Sequence, residues 1–130
     1  MCFFLQILYA FHFTTNHPEN LVKHTEGIID KLSKKGYTLS RVRNTWLDDS
    51  NPYKGINTNL ITPIGYEFEL QFHTPESFAV KNGAMHELYE KQRELNPIKD
   101  ADKIQQIDKE MFELSRSLKR PKDVEIIGED

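Results

Sequence analysis

The chain predicts a mixed α/β (α+β) domain with the element order β-α-β-β-β-α-α, and three stretches carry that prediction. Residues 3–13 are almost continuously apolar and rich in Phe, Tyr, Ile and Leu, as in a strand covered on both faces. Residues 18–35 place Leu21, Val22, Ile28, Ile29 and Leu32 at helical spacing, with Lys and Glu on the other side. Residues 66–73 alternate strictly. Tyr66, Phe68, Leu70 and Phe72 fall on one face of a strand, and Glu67, Glu69, Gln71 and His73 on the other.

The remaining elements follow in order. Pro18 suits a first helical turn, and Gly36 stands where a C′ glycine ends the helix. Residues 37–47 are rich in β-formers, with Val42 and Trp46 on one side and Arg41, Arg43 and Thr45 on the other. Thr62-Pro63-Ile64-Gly65 supplies turn residues between 56–61 and 66–73, which therefore read as a β-hairpin. Thr74-Pro75-Glu76 opens a helix with a capping hydroxyl, a proline and an acid near the positive dipole end, and Asn96-Pro97 breaks it. Asp100 caps a last helix. There Ile104, Ile107, Met111, Leu114 and Leu118 form a narrow stripe, so residues 100–118 could pack on the domain or mediate self-association.

The 130 residues suit one domain, placed at 1–120, with a charged end at 121–130 expected to fray. A composition of 38% apolar and 28% charged residues argues against disorder, and a net charge of −3 gives no electrostatic footprint for DNA. Cys2 is the one cysteine, which excludes an internal disulfide framework and a cysteine-based zinc site. The five histidines also lack zinc spacing. The apolar start has no basic n-region and no small-residue cleavage site, and it is too short to cross a bilayer. A strand outside any membrane and a cytoplasmic location are the expectation, with secretion as an effector the alternative.

Two motifs point to chemistry. Asn51-Pro52-Tyr53-Lys54-Gly55-Ile56-Asn57 resembles the N-G-Y-R-S-I-H loop of RelA/SpoT-type alarmone synthetases, and F-E-L-Q-F-H-T at 68–74 resembles their V-E-I-Q-I-R-T strand. H-T-P-E-S-F and the later M-H-E-L-Y-E are closer to the toxin-like branch of that family, and the likeness covers residues 5–93. The resemblance implies a nucleotidyltransferase-type mixed sheet that transfers pyrophosphate from ATP to the 3′-hydroxyl of a purine nucleotide, with Mg²⁺. It implies that Glu69 holds Mg²⁺ and activates the acceptor hydroxyl. Tyr53 would stack on the acceptor base, and Lys54 and Asn57 would lie beside phosphate and ribose. Arg41 and Arg43 would suit the ATP polyphosphate, while Gln71 and His73 would extend the polar face of Glu69. Lys81, His86 and Arg93 resemble polar positions of the toxin-like branch.

The chain also departs from that pattern. Histidine is common in the family where Asn57 stands, and arginine where His73 stands. The first-strand motif whose aspartate is the second Mg²⁺ ligand aligns with Gln6-Ile7-Leu8-Tyr9, and no acid precedes Glu19. The upstream helices that hold ATP in the family have no counterpart, as in an N-terminally truncated domain. Three functions follow: a weakly active or inactive pyrophosphokinase, a purine-nucleotide-binding module without turnover, or an assembly domain built on the last helix. On pattern alone, Glu67 and Glu69 also read as an ordinary solvated strand face. No residue pattern identifies an immunity or antitoxin partner.

Overall fold

A computed structural model describes residues 9–128. Four strands, β1 (Tyr9–Thr14), β2 (Thr38–Asn44), β3 (Ile56–Ile61) and β4 (Glu67–His73), form one sheet in the order β1-β4-β3-β2. β1 runs parallel to β4, whereas the β2–β3 and β3–β4 pairs are antiparallel. Helix α1 (Leu21–Lys34) makes the long connection from β1 to β2, at opposite edges of the sheet. The predicted mixed sheet and its hairpin are therefore present.

Local chemistry explains the boundaries. Gly36 adopts φ +92°, and the Gly36 and Tyr37 amides donate to the Ser33 and Leu32 carbonyls, closing α1 with a Schellman motif. The hairpin turns at Gly65, φ +93°, whose amide donates to the Thr62 carbonyl. Thr74 caps α2 (Pro75–Asn82) by a capping box. Its hydroxyl accepts from the Ser77 amide at 3.0 Å, and Ser77 Oγ accepts from the Thr74 amide at 3.0 Å.

Three expectations change. The single helix expected after Thr74 is two, α2 and α3 (Ala84–Arg93), because Gly83 at φ −100° and ψ −111° leaves the helical region. The fourth helix, α4 (Ala101–Arg116), packs back on α3, where Gln92 bonds the Ile104 carbonyl and Asp108. Met111 is buried, so its stripe is used mainly within the chain.

The fraying expected over 121–130 gives way to docking in the described part. Val124 is fully buried in the core with Leu21, Val22, Val42, Trp46, Ile56 and Phe72. Buried Asn44 clamps that segment. Its Nδ2 donates to the Val124 and Ile127 carbonyls, both at 2.8 Å, while its Oδ1 accepts from the Trp46 amide.

The strand expected to be covered on both faces is also different where it is described. Among the described residues β1 lies at the sheet edge, and Tyr9 and Phe11 are 70% and 55% exposed. Phe13 alone of its aromatics packs against the core cluster. Residues 3–8 of that expectation, with Gln6, lie outside the described residues.

Candidate functional site

The sheet has two unlike faces. Phe13, Leu70 and Phe72 look toward α1 and the core. On the reverse face the strand register aligns His12, Gln71, Asn57 and Arg43 in one row, and Ala10, Glu69, Asn59 and Arg41 in the next. That polar face spans all four strands. Helix α2 covers one end of it, with Phe78 against the rings of His12 and His73 at 5.5 Å.

Tyr53 closes the other approach. Its hydroxyl donates to Asn57 Oδ1 at 2.7 Å and lies 3.2 Å from Gln71 Oε1 and 3.3 Å from His73 Nε2. Gly55 makes this fit possible, because a Cβ there would stand 2.7 Å from the Tyr53 hydroxyl oxygen and 2.9 Å from His73 Cε1. The Tyr53 ring meets the His73 ring edge-on and is otherwise half-buried. Burial pushes its phenol pKa up, so the hydroxyl stays a donor.

Gln71 is the centre of the network. Its amide nitrogen donates to Glu69 Oε1, which fixes its oxygen toward His73 Nε2 at 3.0 Å, Lys81 Nζ at 3.1 Å and Tyr53. Three potential donors thus converge on an oxygen with two lone pairs. Lys81, from α2, also reaches His12 Nε2 at 2.9 Å. Burial, then the Lys81 ammonium and the neighbouring His12 imidazole, push the His73 imidazole down to about 3, so it is neutral at neutral pH; its Nδ1 has no hydrogen-bond partner. His12 is lowered by burial and by Lys81. Lys81 is lowered by burial and held up by the Glu69 carboxylate.

The predicted residues divide into two groups. Glu69, Gln71, His73, Asn57 and Tyr53 come together, and Arg41 and Arg43 share their face at its β2 edge. Arg43 pairs with Asp48 at 3.5 Å, while Arg41 is exposed. Lys54 does not join them. Its ammonium donates to the Thr45 and Asp48 carbonyls at 3.0 and 2.8 Å, closing the loop, and it lines a separate cavity with Trp46, Arg116 and Arg120. His86 is exposed on α3.

Lys81 stands out in the sequence without a partner, and His12 does not stand out at all. His12 was hidden in the apolar first strand, and Lys81 carried no partner until α2 folded over β4. The signal for Lys81 was its position seven residues after Thr74, on the second turn of the capped helix.

The resemblance implies Mg²⁺, and the described residues do not fit it. Position 10, beside Glu69 on β1, is alanine. Glu69 is engaged by Gln71 and faced by the Lys81 ammonium, and Glu67 turns to Asn59 Nδ2 at 3.2 Å. No three acidic, histidine or cysteine groups cluster as metal ligands among the described residues. Among them, no helix is long and apolar enough to cross a membrane.

No family model matches the chain, and no curated protein matches it. Solved structures do. Small alarmone synthetase 1 from Bacillus subtilis, bound to its product pppGpp, is similar at 15% identity and TM-score 0.51, over 82% of this chain and 57% of that one. The Type VI effector Tas1, solved with its immunity protein, is similar at 18% identity and TM-score 0.52, over 86% of this chain and 69% of that one. The chain thus spans little more than half the length of the small alarmone synthetase it matches. Its fold is alarmone-synthetase-like, and the neighbours include a Type VI effector.

Proposed function

We propose that the chain is a pyrophosphokinase-like domain that binds a purine nucleotide on its polar sheet face and transfers pyrophosphate from ATP weakly or not at all. The observation that carries this reading is the convergence of Tyr53, Asn57, Gln71 and Glu69 on one half-open surface. A base stacked on the Tyr53 ring would gain about 1–3 kcal/mol. Asn57 and Asn59 offer amides beside it. Glu69 Oε1 holds Gln71, which leaves Oε2 to accept from a ribose hydroxyl.

Weak turnover follows from the missing second carboxylate. No acid precedes Glu19, so β1 has none to set beside Glu69, and transfer from ATP develops charge that a single carboxylate engaged by Gln71 cannot help a metal to neutralise. The assembly reading loses ground because the α4 stripe is used against α3.

Calorimetric titration with GDP, GTP, ADP and ATP, on the protein and on Tyr53→Ala and Glu69→Gln, tests the reading. Purine-nucleotide binding that Tyr53→Ala abolishes is expected, with no 3′-pyrophosphorylated product when ATP and an acceptor are incubated together. Failure of all four to bind would overturn it. A product formed by the protein and lost in Glu69→Gln would overturn the claim of weak turnover.

A further inference from the structure

We propose that the Lys81 ammonium takes the place of a divalent cation on the polar face, so that a phosphorylated purine nucleotide binds there without metal. The inference rests on the nucleotide site proposed above and adds where its positive charge comes from.

Four observations converge. The first is position. Lys81 leaves α2 and reaches over the sheet to His12 Nε2 and Gln71 Oε1, which places its charge on the row next to the one that holds Glu69. The second is charge balance. On β1 and β4 the face carries Glu67 and Glu69 as its acids, and Glu69 is the carboxylate that acts on the ammonium. A fixed ammonium this near offsets the charge of the carboxylate as a metal would, and it repels a second cation. The third is the ligand inventory. Ala10 and the neutral His12 replace the oxygen donors that a hard cation needs on the neighbouring strand.

The fourth is availability. Gln71 Oε1 has three potential donors for two lone pairs, and Tyr53 has a shorter bond to Asn57. The Lys81 bond can therefore be exchanged for one to an incoming phosphate oxygen while His73 keeps Gln71 satisfied. An ammonium has three donors, so it can stay on His12 while it binds the anion. Charge-assisted bonds of this kind are about twice as strong as neutral ones. Half-burial of the lysine strengthens them further, because less water competes.

The test is titration of GDP into the full chain, once with EDTA and once with excess Mg²⁺, repeated for Lys81→Met and Lys81→Arg. Thermal melts of each variant verify folding. The proposal expects wild-type affinity to change by less than about threefold between the two buffers, a difference of well under 1 kcal/mol. Lys81→Met should lose at least about tenfold with EDTA, and Lys81→Arg should keep most of the affinity. Adding Mg²⁺ should restore part of the Lys81→Met loss, since Glu69 is then free to attract a cation. Wild-type binding that appears only with Mg²⁺ would overturn the proposal and leave the nucleotide site standing. Equal affinity of Lys81→Met and wild type with EDTA would also overturn it. Absence of GDP binding in either buffer, together with none for ADP, would remove the nucleotide site itself.

Discussion

Gly55 sets the closest approach at the site. A glycine lets other groups approach the backbone closely, and the groups that approach here are the chain's own Tyr53 hydroxyl and His73 ring. Gly55→Ala would push both away. The expected result is a loss on the order of 1–3 kcal/mol in denaturant titration, with weakened nucleotide binding. An unchanged midpoint would mean that Tyr53 is not seated as described. His73 carries a pH signature of defined sign. Its native imidazole titrates near 3, against about 6.5 in the unfolded chain. Between those values the unfolded chain binds a proton that the native one does not, so stability is full above about pH 6.5 and falls toward pH 3. His12 is shifted in the same direction. Denaturation midpoints measured from about pH 7 down to about pH 4 should fall, and should fall less steeply in His73→Gln. A slope that the substitution leaves unchanged would assign the acid sensitivity elsewhere.

At the level of elements, short-range chemistry was legible and long-range pairing was not. The Gly36 cap, the Thr74 cap and the hairpin turn each depend on residues within a few positions, and each formed as expected. Asn44 shows the opposite case. It reads as one polar residue at the end of a strand, yet its partner Val124 is 80 residues away. The acidic composition of 121–130 hid Pro121 and Val124, the two buried residues that seat the segment. Asn44→Ala leaves two buried carbonyls and one amide without their partner, and should cost about 2–4 kcal/mol. Increased proteolysis near the C-terminus should accompany it. A loss below about 0.5 kcal/mol would show that the clamp contributes little. The apolar first strand misled for a related reason. Continuous hydrophobicity signals two covered faces, but in the described residues β1 is an edge on which Tyr9 and Phe11 stay exposed.

For the whole molecule, the alternation of residues 66–73 carried the most information. It separated a core face from a polar face, and the register then extended that polar face across all four strands. The candidate site was legible as far as β3, β4 and their loop supply it. Lys54 was misplaced because its neighbour Tyr53 points to the face while the lysine turns back to cap the loop. His12 and Lys81 were missed as partners because only the parallel pairing of β1 with β4, and the fold of α2 over both, brings them together. The most direct measurement is a ¹⁵N-resolved NMR titration of the protein with GDP. The largest shifts are expected on the Gly55 and Asn57 amides and on the Gln71 side-chain amide. Shifts confined to the α3–α4 groove, or to the cavity around Lys54 and Arg120, would contradict this expectation.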